Sequence, residues 1–161
     1  MDELGKEQVQ VLIGNFDDPL NGLLAEFIKE VIKDKYDLKL RVAFYGEDIV
    51  KLANKESIDI FILVLNNIAF LPVHPVQKRL EISLQFITHI KMTYGRPVIA
   101  LSGWLEDSSL VARTKLVVDF FFPLPFKVDA FKEAIEKCLN IQPAANCRGQ
   151  NDLFARFSSK D

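Results

Sequence analysis

The apolar and polar positions of this chain alternate between two kinds of segment. Short, mostly apolar runs cover residues 9–14, 38–45, 58–65, 96–104 and 117–122. Runs of this length that are bounded by glycine, proline or charged residues are typical of strands. The run IDIFILVL at 58–65 is apolar on both faces, which favours a central strand of a parallel sheet. The run at 38–45 alternates, as a partly exposed strand does.

Segments with a helical period lie between these runs. In residues 17–36 the apolar positions are spaced three and one apart in turn, which places them on one face of a helix. Asp18 followed by Pro19 predicts the start of this helix, with Asp18 as its N-cap. The other predicted helices are 47–55, 76–94, 106–116 and 123–141. Gly95 is predicted to end the third helix.

Five strands that alternate with five helices predict an α/β domain. The expected architecture is a doubly wound parallel sheet with right-handed crossovers and a helical layer on each face. Ligands of such folds bind beyond the carboxyl ends of the strands. The residues just after the predicted strands are therefore the candidate site residues, and they are Asn15 to Asp18, Asn66, Asn67, Ser102, Gly103 and Pro123 to Pro125.

Composition narrows the class of protein. The chain has 161 residues, 49% of them hydrophobic, which suits one domain with a sizeable core. A formal net charge of −2 argues against a nucleic-acid or polybasic membrane surface. No apolar run reaches the roughly 18 residues of a transmembrane helix, and the polar N-terminus is unlike a signal peptide. Cys138 and Cys147 are predicted to be free thiols of a cytoplasmic protein.

The composition changes after residue 141. The segment QPAANCRGQNDLFARFSSKD is polar and has little periodic pattern. We therefore predict a folded domain over residues 1–141 and a flexible tail over residues 142–161. The apolar residues of LFARF, at 153–157, are interpreted either as a docked chain end or as a short partner-binding segment.

Several segments, taken in order, resemble the receiver domain of two-component response regulators over roughly residues 8–140. VLIGNFDDPLN resembles the first strand and acidic loop, and VAFYGEDIVKLANKESIDIFILVL resembles the second strand through the third. PVIALSG resembles the fourth strand with its hydroxyl, and DFFFPLPFKVDAFKEAI resembles the fifth strand, the Lys-Pro-Phe turn and the last helix. The resemblance implies the flavodoxin-like (CheY-like) fold, a five-stranded parallel sheet in three α/β/α layers. It also implies that a cis peptide precedes Pro125.

The resemblance also indicates which positions would carry phosphoryl chemistry. A working receiver needs an acidic pair after the first strand, an aspartate at the end of the third, a Ser or Thr after the fourth and a Lys after the fifth. In this chain the corresponding residues are Asn15 and Phe16, Val64, Ser102 and Leu124. Valine cannot form an acyl phosphate, and leucine cannot form an ion pair with a phosphoryl group.

If the third strand ran two residues longer, Asn66 would occupy the acceptor position, and an amide also forms no aspartyl phosphate. The chain is therefore predicted to be a degenerate receiver, or pseudo-receiver. We expect a non-enzymatic module without a cofactor that works by protein–protein contact, independently of phosphorylation, in a signalling or regulatory assembly.

Two regions are candidate contact surfaces. The segment 66–76 is apolar and includes Phe70 and Leu71, so it either folds over the sheet or presents a partner surface. Phe121 and Phe126 flank the junction of the last strand and helix. Response regulators commonly pair through that face, so the resemblance makes a homodimer a candidate assembly.

Two other functions stay open on the sequence alone. Asp17, Asp18, Asn66 and Ser102 could hold a cation or small ligand, since Mg²⁺ favours carboxylate oxygens; alternatively, the two aspartates cap the first helix. A small α/β enzyme or flavin carrier fits less well, because two carboxylates at a helix N-terminus repel a phosphate. The main interpretation, a pseudo-receiver, predicts no metal site.

Overall fold

The computed structural model describes residues 6–65, 67–70, 76–103 and 108–141. Strands and helices alternate throughout, as predicted. The strands are β1 (Glu7–Gly14), β2 (Tyr36–Ala43), β3 (Ile60–Val64), β4 (Val98–Ser102) and β5 (Phe120–Pro123). The helices are α1 (Asp18–Ile32), α2 (Gly46–Lys55), α3 (Val76–Tyr94), α4 (Ser108–Val117) and α5 (Val128–Ile141).

All strand pairs are parallel, and the sheet order is β2-β1-β3-β4-β5. The predicted doubly wound α/β fold is therefore confirmed. The apolar run predicted to be central, β3, lies in the middle of the sheet and is buried along its whole length. Because the chain reverses direction across the sheet after β1, the ends of β1 and β3 lie side by side at the carboxyl edge.

The sheet separates two apolar cores. One lies beneath α2, α3 and α4 and includes Leu12, Phe61 and Ile87. The other lies beneath α1 and α5 and includes Ile13 and Phe131. Successive residues of each buried strand point alternately into the two cores, as the period of a strand requires. None of the helices in the described ranges is long and apolar enough to span a membrane.

Several element boundaries differ from the sequence predictions. The largest differences are at α5, which begins at Val128 and not at residue 123, and at β5, which begins at Phe120 and not at residue 117. The N-cap of α1 is Asp17 and not Asp18: Asp17 has extended backbone angles, and its carboxylate accepts a hydrogen bond from the backbone N–H of Leu20. Strand β2 begins at Tyr36, two residues before the predicted start. The third helix was predicted correctly, and Gly95, with φ of 63°, ends it.

One buried side-chain oxygen in the described structure has no hydrogen-bond partner. The hydroxyl of Ser83, in α3, belongs to a residue that is 1% exposed. By contrast, the buried hydroxyl of Thr114 donates to the carbonyl of Leu110 at 2.7 Å. A buried hydroxyl without a partner loses its hydrogen bonds to water and gains none in the fold.

We predict that Ser83→Ala raises the free energy of unfolding by about 1 kcal/mol, because it removes an unpaired polar group at little loss of packing. Thr114→Ala, the control, should lower it by about 1–2 kcal/mol, since a methyl group and a hydrogen bond are both lost. Urea unfolding of the two variants measures both values. Destabilisation by Ser83→Ala would contradict this prediction.

Candidate functional site

The carboxyl ends of the strands bring the predicted site residues to one edge of the sheet. Gly14 is aligned with Ala43 on one side and Leu63 on the other. Val64 is aligned with Leu101, and Ser102 with Pro123. The residues that follow β1, β3, β4 and β5 are therefore neighbours in space, as the doubly wound fold requires.

Val64 ends β3 and is 1% exposed. Its side chain belongs to the apolar core beneath α1 and α5, and Leu124, which is half-buried, packs against the same core. The resemblance assigns the phosphate acceptor to the first position and the lysine to the second. Both positions hold apolar side chains. The end of β3 therefore has no nucleophile at Val64, and Leu124 supplies no cation.

Ser102 ends β4 and is buried, and its carbonyl accepts a hydrogen bond from the backbone N–H of Leu124 at 2.9 Å. This bond joins the ends of β4 and β5. The peptide bond between Leu124 and Pro125 is cis, as the resemblance implied. Ser102 is therefore the one member of the receiver's set of functional side chains that keeps its chemical type at the expected place.

Asn15, at the first acidic position, is fully buried in a network of amides. Its Nδ2 donates to Oδ1 of Asn21 at 2.8 Å, and its Oδ1 accepts from Nδ2 of Asn67 at 2.8 Å. Nδ2 of Asn21 donates a hydrogen bond to the backbone carbonyl of Asn15 at 3.1 Å. The backbone N–H of Asn15 donates to the carbonyl of Ala43. The side chain of Asn15 thus connects the end of β1 to α1 and to the segment after β3, and its backbone N–H connects it to β2.

The other residues of the first loop face outward or cap the helix. Phe16, at the second acidic position, is 55% exposed. Asp17 caps α1, and Asp18 is exposed at the first position of that helix. The carboxylate oxygen of Asp17 that accepts from the backbone is used as a helix cap, which is the structural alternative considered for it.

The segment after β3 crosses the end of β1 and pairs with the chain after β2. Tyr45 and Ala69 form a parallel bridge, with the N–H of Gly46 donating to the carbonyl of Ala69 at 2.8 Å. The ring of Phe70 lies over Gly46, where a Cβ atom would come within 2.6 Å of it. Residues 67–70 therefore fold over the sheet, which was one of the two interpretations of this loop.

The predicted contact residues are partly covered. Phe70 packs edge-on against Phe86 with ring centroids 5.2 Å apart. Phe126 stacks on Phe131 at 4.9 Å, and Phe121 packs against the core beneath α2, α3 and α4. Asn66, Leu71 and the tail at 142–161 lie outside the described residues. The homodimer stays a prediction.

Shifted pKa values occur at the opposite edge of the sheet, where the strands begin. Burial raises the pKa of Asp59, which lies just before β3, and also that of Tyr94, at the end of α3. Burial opposes the ionisation of Glu56, but hydrogen bonds from Gln10 and Arg41 outweigh it and lower its pKa. Asp59 also accepts a hydrogen bond from the backbone N–H of Gln10, which joins the segment before β3 to β1.

Over the ranges that the structure describes, His, Cys, Asp and Glu side chains form no group of three or more that could hold a metal ion. The carboxylates near the candidate site, Asp17 and Asp18, are not joined there by a third acidic or imidazole ligand.

Solved structures share this fold. The chain is similar to the signal receiver domain of a DNA-binding response regulator from Colwellia psychrerythraea 34H, with 19% identity, a TM-score of 0.64, and coverage of 82% of this chain and 98% of that one. It is also similar to a response regulator from Thermotoga maritima, at 18% identity and a TM-score of 0.58, over 83% and 98%.

A third similar structure is the signal receiver domain of a modulated diguanylate cyclase from Desulfovibrio desulfuricans G20, at 17% identity and a TM-score of 0.63, over 83% and 95%. No protein-family model and no curated protein matches the chain. The chain therefore has the receiver-domain fold, the CheY-like arrangement that the sequence predicted.

Sequence reasoning missed two parts of the site. Asn21 was not singled out, although an asparagine in the first turn of a helix that follows a buried strand-end asparagine is a recognisable signal. Phe44, just beyond β2, is 44% exposed, and it was not singled out from the sequence either. Its exposure depends on β2 being the edge strand of the sheet.

We predict that Asn15→Ala lowers the free energy of unfolding by about 3 kcal/mol, because it leaves polar groups of Asn21 and Asn67 without partners in a buried site. Asn140→Ala, on the exposed face of α5, is the matched control and should change it by less than about 0.5 kcal/mol. Chemical denaturation measures both. Equal effects of the two substitutions would show that the network contributes nothing.

Proposed function

We propose that this chain is a receiver-like protein-interaction module of a cytoplasmic signalling or regulatory assembly, non-enzymatic and independent of aspartyl phosphate. The observation that carries the proposal is that Val64 and Asn15 are both buried and uncharged. The acceptor position is a buried valine in an apolar core, and the first acidic position is a buried amide with its hydrogen bonds satisfied.

The need to balance buried charge links the residues at these positions. A receiver's carboxylates are tolerable at a strand edge because a cation and a lysine balance their charge. Removal of the cationic partner alone would leave buried charge uncompensated, which costs about 3–5 kcal/mol. Here the acidic pair, the acceptor and the lysine positions are all neutral. Concerted neutralisation supports a site whose present role is structural.

The fold can also support protein binding, a function that needs no catalysis. Fixed loops at the carboxyl edge of an α/β sheet form surfaces that can be recognised by another protein. The bridge between Tyr45 and Ala69 and the amide network hold three of those loops together. A surface that is already ordered loses less conformational entropy on binding.

Incubation with acetyl phosphate and Mg²⁺, followed by intact-protein mass spectrometry, tests the proposal. We expect no hydroxylamine-sensitive phosphoryl adduct, because no carboxylate lies at the end of β3. A receiver with an intact acidic pocket, treated in the same buffer, shows that the reagent is active. A stable adduct that the Asp17→Asn/Asp18→Asn variant abolishes would contradict the proposal and place the acceptor on the first loop.

A further inference from the structure

Two exposed phenylalanines lie on neighbouring segments at the carboxyl edge, one just after β1 and the other just after β2. Phe16 is 55% exposed and Phe44 is 44% exposed. The backbone N–H of Asn15 donates to the carbonyl of Ala43 at 3.0 Å, and Phe16 and Phe44 are the next residues along these two segments. Large apolar side chains that are exposed on neighbouring segments are a feature of surfaces that contact other proteins.

The backbone around both rings is held in place. The N–H of Phe16 donates to the carbonyl of Asn67 at 3.2 Å, and the carbonyl of Phe44 accepts from the N–H of Ala69. The ring of Phe44 packs on that of Tyr45, with centroids 4.9 Å apart. The two phenylalanines are therefore presented by an ordered scaffold, which is the condition under which aromatic residues contribute most to binding.

The segments that carry this pair are rich in negative charge. Residues 14–22 and 42–50 include four carboxylates and no Lys, Arg or His, and the carboxylates are Asp17, Asp18, Glu47 and Asp48. The N-termini of α1 and α2 offset about half a charge each, so a net charge of about −3 remains. We call Phe16, Phe44, Tyr45 and these four carboxylates the Phe16–Phe44 surface.

We propose that the Phe16–Phe44 surface binds a basic segment of another protein. Large apolar side chains of that segment would cover Phe16 and Phe44, and its Lys and Arg side chains would face the carboxylates. The inference rests on the proposed function and assigns it a surface and a class of partner. It does not involve the predicted contact residues Phe121 and Phe126.

Charge distinguishes this partner from other occupants. Nucleic acids and anionic lipid head groups would be repelled by the four carboxylates. A second copy related by two-fold symmetry would bring the same carboxylates together. Opposite charge, by contrast, speeds association and disfavours wrong partners. A basic segment with apolar side chains is the occupant that complements both features of the surface.

Selection of a random dodecapeptide library, displayed on phage, against the full chain tests the inference. Counter-selection uses the Phe16→Ala/Phe44→Ala variant. We expect recovered peptides to be enriched in Lys or Arg together with Leu, Phe or Trp. A synthetic copy of one such peptide should bind the double variant and the Asp18→Asn/Glu47→Gln variant at least tenfold more weakly than the unsubstituted chain.

The matched control is Leu116→Ala, which removes a side chain that is 87% exposed on α4, and it should leave the affinity unchanged. Amide chemical shifts should move at residues 14–18 and 42–48 on peptide binding. The charge variant alters only exposed side chains, so it keeps the test decisive even if the double phenylalanine variant unfolds.

Three results would overturn the inference: no enriched peptide, enriched peptides that are acidic or uncharged, or equal affinity for the unsubstituted chain and both variants. Concentration-dependent dimerisation that the double phenylalanine variant abolishes would also overturn it, in favour of a second copy. None of these depends on phosphoryl labelling, so failure here is distinct from failure of the proposed function.

Discussion

The hydrogen bonds of the Asn15 side chain hold the carboxyl edge of this domain together. Asn15 lies directly after β1, and its amide is bonded to α1 through Asn21 and to the segment after β3 through Asn67. Both ends of the amide are used, and the residue is fully buried. A satisfied polar network in a low-dielectric site is strong and specific, whereas a partly satisfied one is costly. The arrangement therefore fixes three loops in one geometry.

The rest of the edge follows from that geometry. With Asn67 held against Asn15, the chain after β3 crosses the end of β1 and reaches the chain after β2, where Ala69 pairs with Tyr45. Gly46 leaves room there for the ring of Phe70, which would have to shift to accommodate a larger residue. Amide side chains and backbone therefore fill the space between the ends of β1 and β3. Phe16 and Phe44, on the segments that follow β1 and β2, are exposed at this edge.

The sequence contained enough to predict the fold, because apolar runs and helical periods report burial directly. The resemblance places Val64 and Leu124 at the acceptor and lysine positions, and the sheet brings both residues to the carboxyl edge. Their assignment to those positions stays a prediction. The amide network could not be predicted: Asn15 and Asn67 are 52 residues apart, and only the tertiary fold brings them together. The start of β2 was misplaced because an edge strand with half-covered faces has a weak pattern. Either of two adjacent aspartates could have capped α1, and the loop geometry selected Asp17.

The central claim is that a neutral, hydrogen-bonded structure has replaced the phosphoryl site. The most direct test is the ¹⁵N–¹H correlation spectrum of the full chain, recorded with Mg²⁺ and with Mg²⁺ plus beryllofluoride, a mimic of the phosphoryl group. The account predicts no saturable shift of the amides at residues 14–16, 63–65, 101–103 and 121–124, beyond the change that an equal ionic strength of NaCl produces. Saturable shifts at the ends of β1, β3 and β5 that need both reagents would contradict it.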